Sequence, residues 1–128
     1  MEVGGKKKDI LKDGELSCAS FVSSVLLMFG LIKKRHATVK GTVKDMFRSG
    51  WQEIEKPKPG CVLVWEKRHV PGRSEHKHIG FYHNNKSALS NSHKQKSPQI
   101  HHLTYGTKKD GLPVRKIEKI FWHKRLDK

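Results

Sequence analysis

A chain of 128 residues is slightly under the roughly 150 of a typical domain, so one compact domain is expected. It carries 27 Lys and Arg against 12 Asp and Glu, a formal charge of +15 before any of its nine histidines is protonated. The 34% hydrophobic content suffices for a modest core and argues against disorder throughout, while the longest apolar run, Val25 to Ile32 broken by Gly30, is too short for the ~20 residues of a membrane span.

Residues 1–14 are polar and rich in Lys and Gly, and are expected to form a flexible basic lead-in. Their lysines run into Asp9-Ile10-Leu11-Lys12-Asp13 rather than into an apolar export core, so no general secretory signal is expected. The location then expected is cytoplasmic, or reached by a non-classical route. From Ser17 the apolar residues Phe21, Val22, Val25, Leu26 and Phe29 recur at helical spacing, and Leu27 and Met28 widen the stripe until little polar face is left. This predicts a buried helix with Ser17 as N-cap, Cys18 on the first turn and Gly30 as the left-handed stop.

A second helix is predicted from about Thr38 to Arg48, with Val39, Val43, Met46 and Phe47 on one face and Gly50 after its end. Strands follow. Pro57-Lys58-Pro59-Gly60 turns into the β-rich run Cys61 to Trp65, Lys67 to Lys77 reads as an exposed loop around Pro71-Gly72, and His78 to His83 reads as a strand. Asn84-Asn85 is the hairpin turn, Ala88 to Ser92 the return, and Ile100 to Tyr105 and Val114 to His123 the last strands, separated by a loop over Gly106 to Pro113. Helices first and adjacent strands afterwards give an α+β fold, with the helices on one side of an antiparallel sheet.

Two cysteines cannot build the dense disulfide framework of a small secreted domain, so a reduced compartment or one reactive thiol is expected. Cys18 at a helix start faces the positive end of the macrodipole and unpaired N–H groups, which favour thiolate and suit an oxyanion. His78, opening a strand, supplies an imidazole for that thiol. A third group must orient the ring, and the partner strand offers Ser90 or Asn91.

The order of three motifs then resembles the NlpC-type and CHAP cysteine peptidases and amidases, across about residues 15–105. The motifs are Cys-Ala-Ser-Phe-Val-Ser-Ser-Val-Leu from Cys18, Lys-Pro-Gly-Cys-Val-Leu-Val-Trp from Lys58, and His-Ile-Gly-Phe-Tyr from His78 with its following hairpin. The resemblance implies a minimal papain-like core over residues 15–128, Cys18 as nucleophile and His78 as general base and acid. The family's third member, roughly a dozen residues after its His, falls on Ser90 and Asn91. Asn91 is preferred because a carboxamide oxygen accepts an imidazole N–H more firmly than a hydroxyl does. The implied reaction is amide hydrolysis through a thioester, with the backbone N–H groups of Cys18 and Ala19 holding the oxyanion and no cofactor or metal. The implied substrate is a peptide of bacterial cell wall, an anionic mesh that attracts a cationic monomer. The sequence departs from the family in Ser17 before the nucleophile, Ala19-Ser20 after it and Cys61 after the turn glycine, and an upstream substrate-contacting Tyr has no counterpart.

Three other readings compete. The charge suits a nucleic-acid-binding module, with Trp51, Trp65, Phe81, Tyr82 and Trp122 as stacking platforms, although such residues are more often core. His76, His78, His101, His102 and Cys61 are candidate metal ligands without the tight paired spacing of zinc sites. His36, His69, His83, His93 and His123 read as exposed polar residues, and Cys61 as an inert core thiol.

Overall fold

The computed structural model describes residues 15–68, 76–92 and 97–127, so the expected lead-in and most of the expected loop around Pro71-Gly72 lie outside the described residues. Helix α1 spans Glu15–Met28 and helix α2 spans Val39–Arg48. Strands β1 (Trp51–Glu53), β2 (Val62–Arg68), β3 (His76–Asn84), β4 (Ser87–Ser92), β5 (Ser97–His102) and β6 (Ile117–His123) form one antiparallel sheet in the order β1-β6-β2-β3-β4-β5. The fold is α+β with both helices packed on the sheet.

β2 sits inside the sheet and is buried on both faces. Val62 and Val64 join Cys18, Val22, Leu26, Met46, Ile79 and Phe121 between sheet and helices. Cys61, Leu63 and Trp65 join Ala88 on the other face, covered by Leu103, Tyr105, Ile117 and Trp122. A strand buried on both faces must be apolar without alternation, which is why Cys-Val-Leu-Val-Trp is a continuous apolar run. Chain after β5 builds the cover, through the turns of residues 103–116 and a bridge between Thr107 and Pro113.

Several boundaries differ from those expected. Thr38 caps α2 by accepting the Gly41 N–H at 3.0 Å, as its residue type suggests. α1 begins at Glu15, which puts Ser17 inside the helix rather than at its cap. Its last turn is buried on one side only: Leu26 is in the core, whereas Met28 is 81% and Phe29, just past the helix, 66% exposed, because the sheet covers only one side of a helix that is apolar all round. β1, too short to show a period, has no counterpart among the expected strands. β5 lies three residues earlier than expected and carries Pro98, which an edge strand tolerates.

The link between the helices is tied down by Asp45. Its buried carboxylate accepts the Lys33 N–H (3.1 and 3.2 Å), the Lys34 N–H (3.1 Å), the Ser49 hydroxyl (2.9 Å) and the His36 Nε2 (2.7 Å). Ser23 Oγ meets both the N–H and the carbonyl of His36. His36 is therefore a structural partner rather than an exposed polar residue. So is His123, buried with Nε2 on the Ser49 carbonyl at 2.8 Å and Nδ1 accepting the Arg125 N–H at 3.0 Å.

Burial alone would raise the Asp45 pKa, but the hydrogen bonds from His36, Lys33, Ser49 and Lys34 outweigh it and bring the value from 3.8 to about 2. A carboxylate held below its unfolded value stabilises the fold above pH 4, and that contribution disappears as the pH falls from about 4 through about 2. Urea titrations at several pH values should show a loss of about 2 kcal/mol across that window. Asp45→Asn should flatten that part of the pH dependence, and an unchanged slope would remove Asp45 as its source.

Candidate active site

Cys18 is the fourth residue of α1 and fully buried, between helix and sheet in the cluster that includes Ile79. The thiol thus sits close to the helix start. Of the two N–H groups expected to hold an oxyanion, that of Ala19 falls four residues after Glu15, within the helix's own i→i−4 ladder.

His78 stands on β3 opposite Trp65 of β2. Alternation turns Ile79 and Phe81 toward α1, where Phe81 meets Phe21 edge-on, and turns His78, Gly80 and Tyr82 to the other face. The His78 ring lies 5.2 Å from the Trp65 ring, with only 9% of the residue exposed. Its Nε2 is 2.9 Å from the Ser90 hydroxyl, and Ser90 is itself 2% exposed. The structure therefore brings together His78 and Ser90, not His78 and Asn91. Asn91 pairs with Pro98 and belongs to the face opposite Ser90.

A β-bulge accounts for that choice. In the register of Asn84 and Ser87, an unbroken ladder would set Asn91 opposite Gly80, on the face of His78. The register shifts between Tyr82 and Asn84, so that Tyr82 pairs with Ala88 and Phe81 with Leu89, which carries Ser90 to Gly80. Gly80 is required there. A Cβ at this position would stand 2.7 Å from the Leu89 carbonyl oxygen, 2.7 Å from the Ser90 Cβ and 3.1 Å from the Trp65 ring.

Two further residues join the pair, and neither was among the candidates for this role. His101 Nε2 is 2.8 Å from the Ser90 hydroxyl, and Tyr105, stacked on the His101 ring at 4.1 Å and 12°, has its hydroxyl 3.4 Å from the same oxygen. Tyr105 adopts a left-handed backbone (φ 63°), uncommon for an aromatic residue and held by its N–H bond to the His102 carbonyl at 3.0 Å. Doubled histidines before a Thr-Tyr-Gly turn were the signal in the sequence, legible only once β5 lies beside β4.

Cys61 stands apart, in the second core cluster, where burial pushes its thiol pKa up. Among the described residues no group of three or more His, Cys, Asp or Glu is placed to hold a metal ion. Trp51 and Trp65 are buried and donate their indole N–H to the Leu31 and Leu103 carbonyls, both at 2.9 Å, and Phe81, Tyr82 and Trp122 pack on the core clusters. Trp51 and Trp65 are thus core residues, and Phe81, Tyr82 and Trp122 are half-buried against that core. Among the described residues no helix is long and apolar enough to cross a membrane.

No protein-family model and no curated protein matches the chain. The arrangement itself offers a buried imidazole oriented by a hydroxyl, beside a strand whose other face packs on a helix-start thiol. Gly80→Ala should destabilise the fold by about 2 kcal/mol through steric overlap. It should also separate Ser90 from His78, visible as a change in the His78 ring-proton shifts; unchanged shifts would contradict the close packing.

Proposed function

We propose that the protein is a cysteine hydrolase of peptide or amide bonds, with Cys18 as nucleophile, His78 as base and acid, and Ser90 as the group that orients the imidazole. The observation that carries this reading is the buried hydrogen bond between His78 Nε2 and Ser90 Oγ. An imidazole pinned through one nitrogen presents the other, Nδ1, as the proton acceptor for a thiol. Supporting it are the position of Cys18 near the start of a 14-residue helix, its packing beside Ile79, the neighbour of His78, and the motif order described above.

The reaction runs through a thioester. Nδ1 of His78 takes the Cys18 proton, the sulfur adds to the amide carbonyl, and the oxyanion is stabilised by the positive end of α1. The imidazolium returns its proton to the leaving amine, then activates the water that frees the acyl group. A charge of +15 favours anionic substrates, and cell-wall peptides with their free carboxylates fit that preference for a monomeric enzyme.

Direct transfer requires Cys18 Sγ within hydrogen-bond reach of His78 Nδ1, so coupling between thiol and imidazole is the property to measure. Near pH 7 iodoacetamide should modify Cys18 in preference to Cys61. Cys18→Ala should abolish that reaction, Cys61→Ala should leave it intact, and His78→Ala should slow it by on the order of 100-fold. Equal slow labelling of both thiols, or labelling of Cys18 indifferent to His78, would overturn the assignment. Binding to nucleic acid that falls steeply with salt and survives Cys18→Ala, with no cleavage of cell-wall peptides, would favour the binding-module reading instead.

A further inference from the structure

A serine hydroxyl is an ambiguous orienter, because it can either give a proton to an imidazole nitrogen or receive one from it. If Ser90 donated to His78 Nε2, the ring would carry its proton on Nδ1 and have nothing with which to accept a thiol proton. The surroundings of Ser90 remove the ambiguity. His101 Nδ1 lies 2.7 Å from the His102 carbonyl oxygen, which only accepts, so Nδ1 carries the proton. Burial pushes the His101 pKa down, keeping the ring neutral and its Nε2 bare. That Nε2, 2.8 Å from Ser90 Oγ, takes the hydroxyl proton, and the oxygen is left to accept from His78 Nε2 at 2.9 Å.

We infer that His101 is a positioning residue: through Ser90 it fixes His78 in the tautomer with the proton on Nε2 and the lone pair on Nδ1. The His102 carbonyl, His101, Ser90 and His78 form one directed chain of hydrogen bonds. Tyr105 holds its middle, stacked on the His101 ring with its hydroxyl at the edge of Ser90. No proton has to travel along the chain. When Nδ1 takes the thiol proton, Ser90 Oγ keeps accepting from Nε2–H, and the charge stays on the His78 ring. This inference rests on His78 being the base for Cys18, but the tautomer it assigns is a property of the resting protein.

The test uses the intact chain with nitrogen-15 histidine, near pH 8 where neutral rings dominate. Side-chain NMR should find His78 protonated on Nε2 and His101 on Nδ1. His101→Phe keeps a ring for Tyr105 to stack on but removes the acceptor. It should bring up a population of His78 protonated on Nδ1 and slow Cys18 alkylation about tenfold, the worth of one oriented hydrogen bond. His101→Gln, whose carboxamide oxygen reaches the place of Nε2, should restore the rate to within about threefold of the parent. Wild-type His78 protonated on Nδ1, His101 protonated on Nε2, or a His101→Phe protein with both tautomer and rate unchanged would overturn the inference. The wild-type measurement decides even where a variant fails to fold. An inert Cys18 in a protein that shows the assigned tautomers would refute the hydrolase reading and leave the positioning role standing. Normal Cys18 reactivity with the wrong tautomers would do the reverse.

Discussion

Everything in this molecule is arranged around a strand that cannot face water on either side. Five consecutive residues of the turn and strand at β2, Cys61 to Trp65, are buried, so each face of the sheet needs its own cover. α1 and α2 provide one. The turns after β5, with Trp122 of β6, provide the other. At roughly 1.5–3 kcal/mol for burying each large apolar side chain, the two layers give a small chain much of the driving force it has. Of the outer edges, β1 has only three residues, and β5 is mostly polar and carries Pro98, both devices that blunt an edge.

The second layer is also what makes a site possible. Trp65 is the pivot: it pairs with His78 across the β2–β3 ladder, anchors its indole on the Leu103 carbonyl, and meets His101 and Tyr105 with its ring. Polar groups in such a place are costly unless each has a partner, and among the described residues no buried side-chain nitrogen or oxygen lacks one. The histidines and the serine are thus fixed by the same packing that closes the core.

The parts of the fold legible in the sequence were those written in residue chemistry and period. Thr38 with its helix, the turn at Gly60, the unbroken apolar run of β2 and the hairpin at Asn84 all follow from local rules. What could not be read was parity. A dozen residues from His78 reach both Ser90 and Asn91, and carboxamide chemistry favours the second. A bulge of one residue between Tyr82 and Asn84 decides for the first, because any one-residue shift exchanges the two faces of a strand. Bulges are set by how the whole sheet twists and packs, and no motif of two or three residues announces one. The apolar character of Met28 and Phe29 misleads for a related reason: composition predicts burial, but only the sheet's extent decides which turns of α1 it covers.

His101 shows a different limit. Placed by period alone on a strand from residue 100, it had no face. The β4–β5 ladder pairs it with Ala88, two residues from Ser90 on the same side, and only then do the 2.8 Å contact and the direction of the proton follow. Substituting a hydroxyl for a carboxamide next to an imidazole loses a fixed acceptor, since a carboxamide oxygen cannot donate and a hydroxyl can. A neighbour that consumes the hydroxyl proton restores the lost direction. The weaker orienter at position 90 and the unexpected histidine at position 101 are therefore two halves of one solution. Their separation by a whole strand is why neither half explains itself in the linear chain.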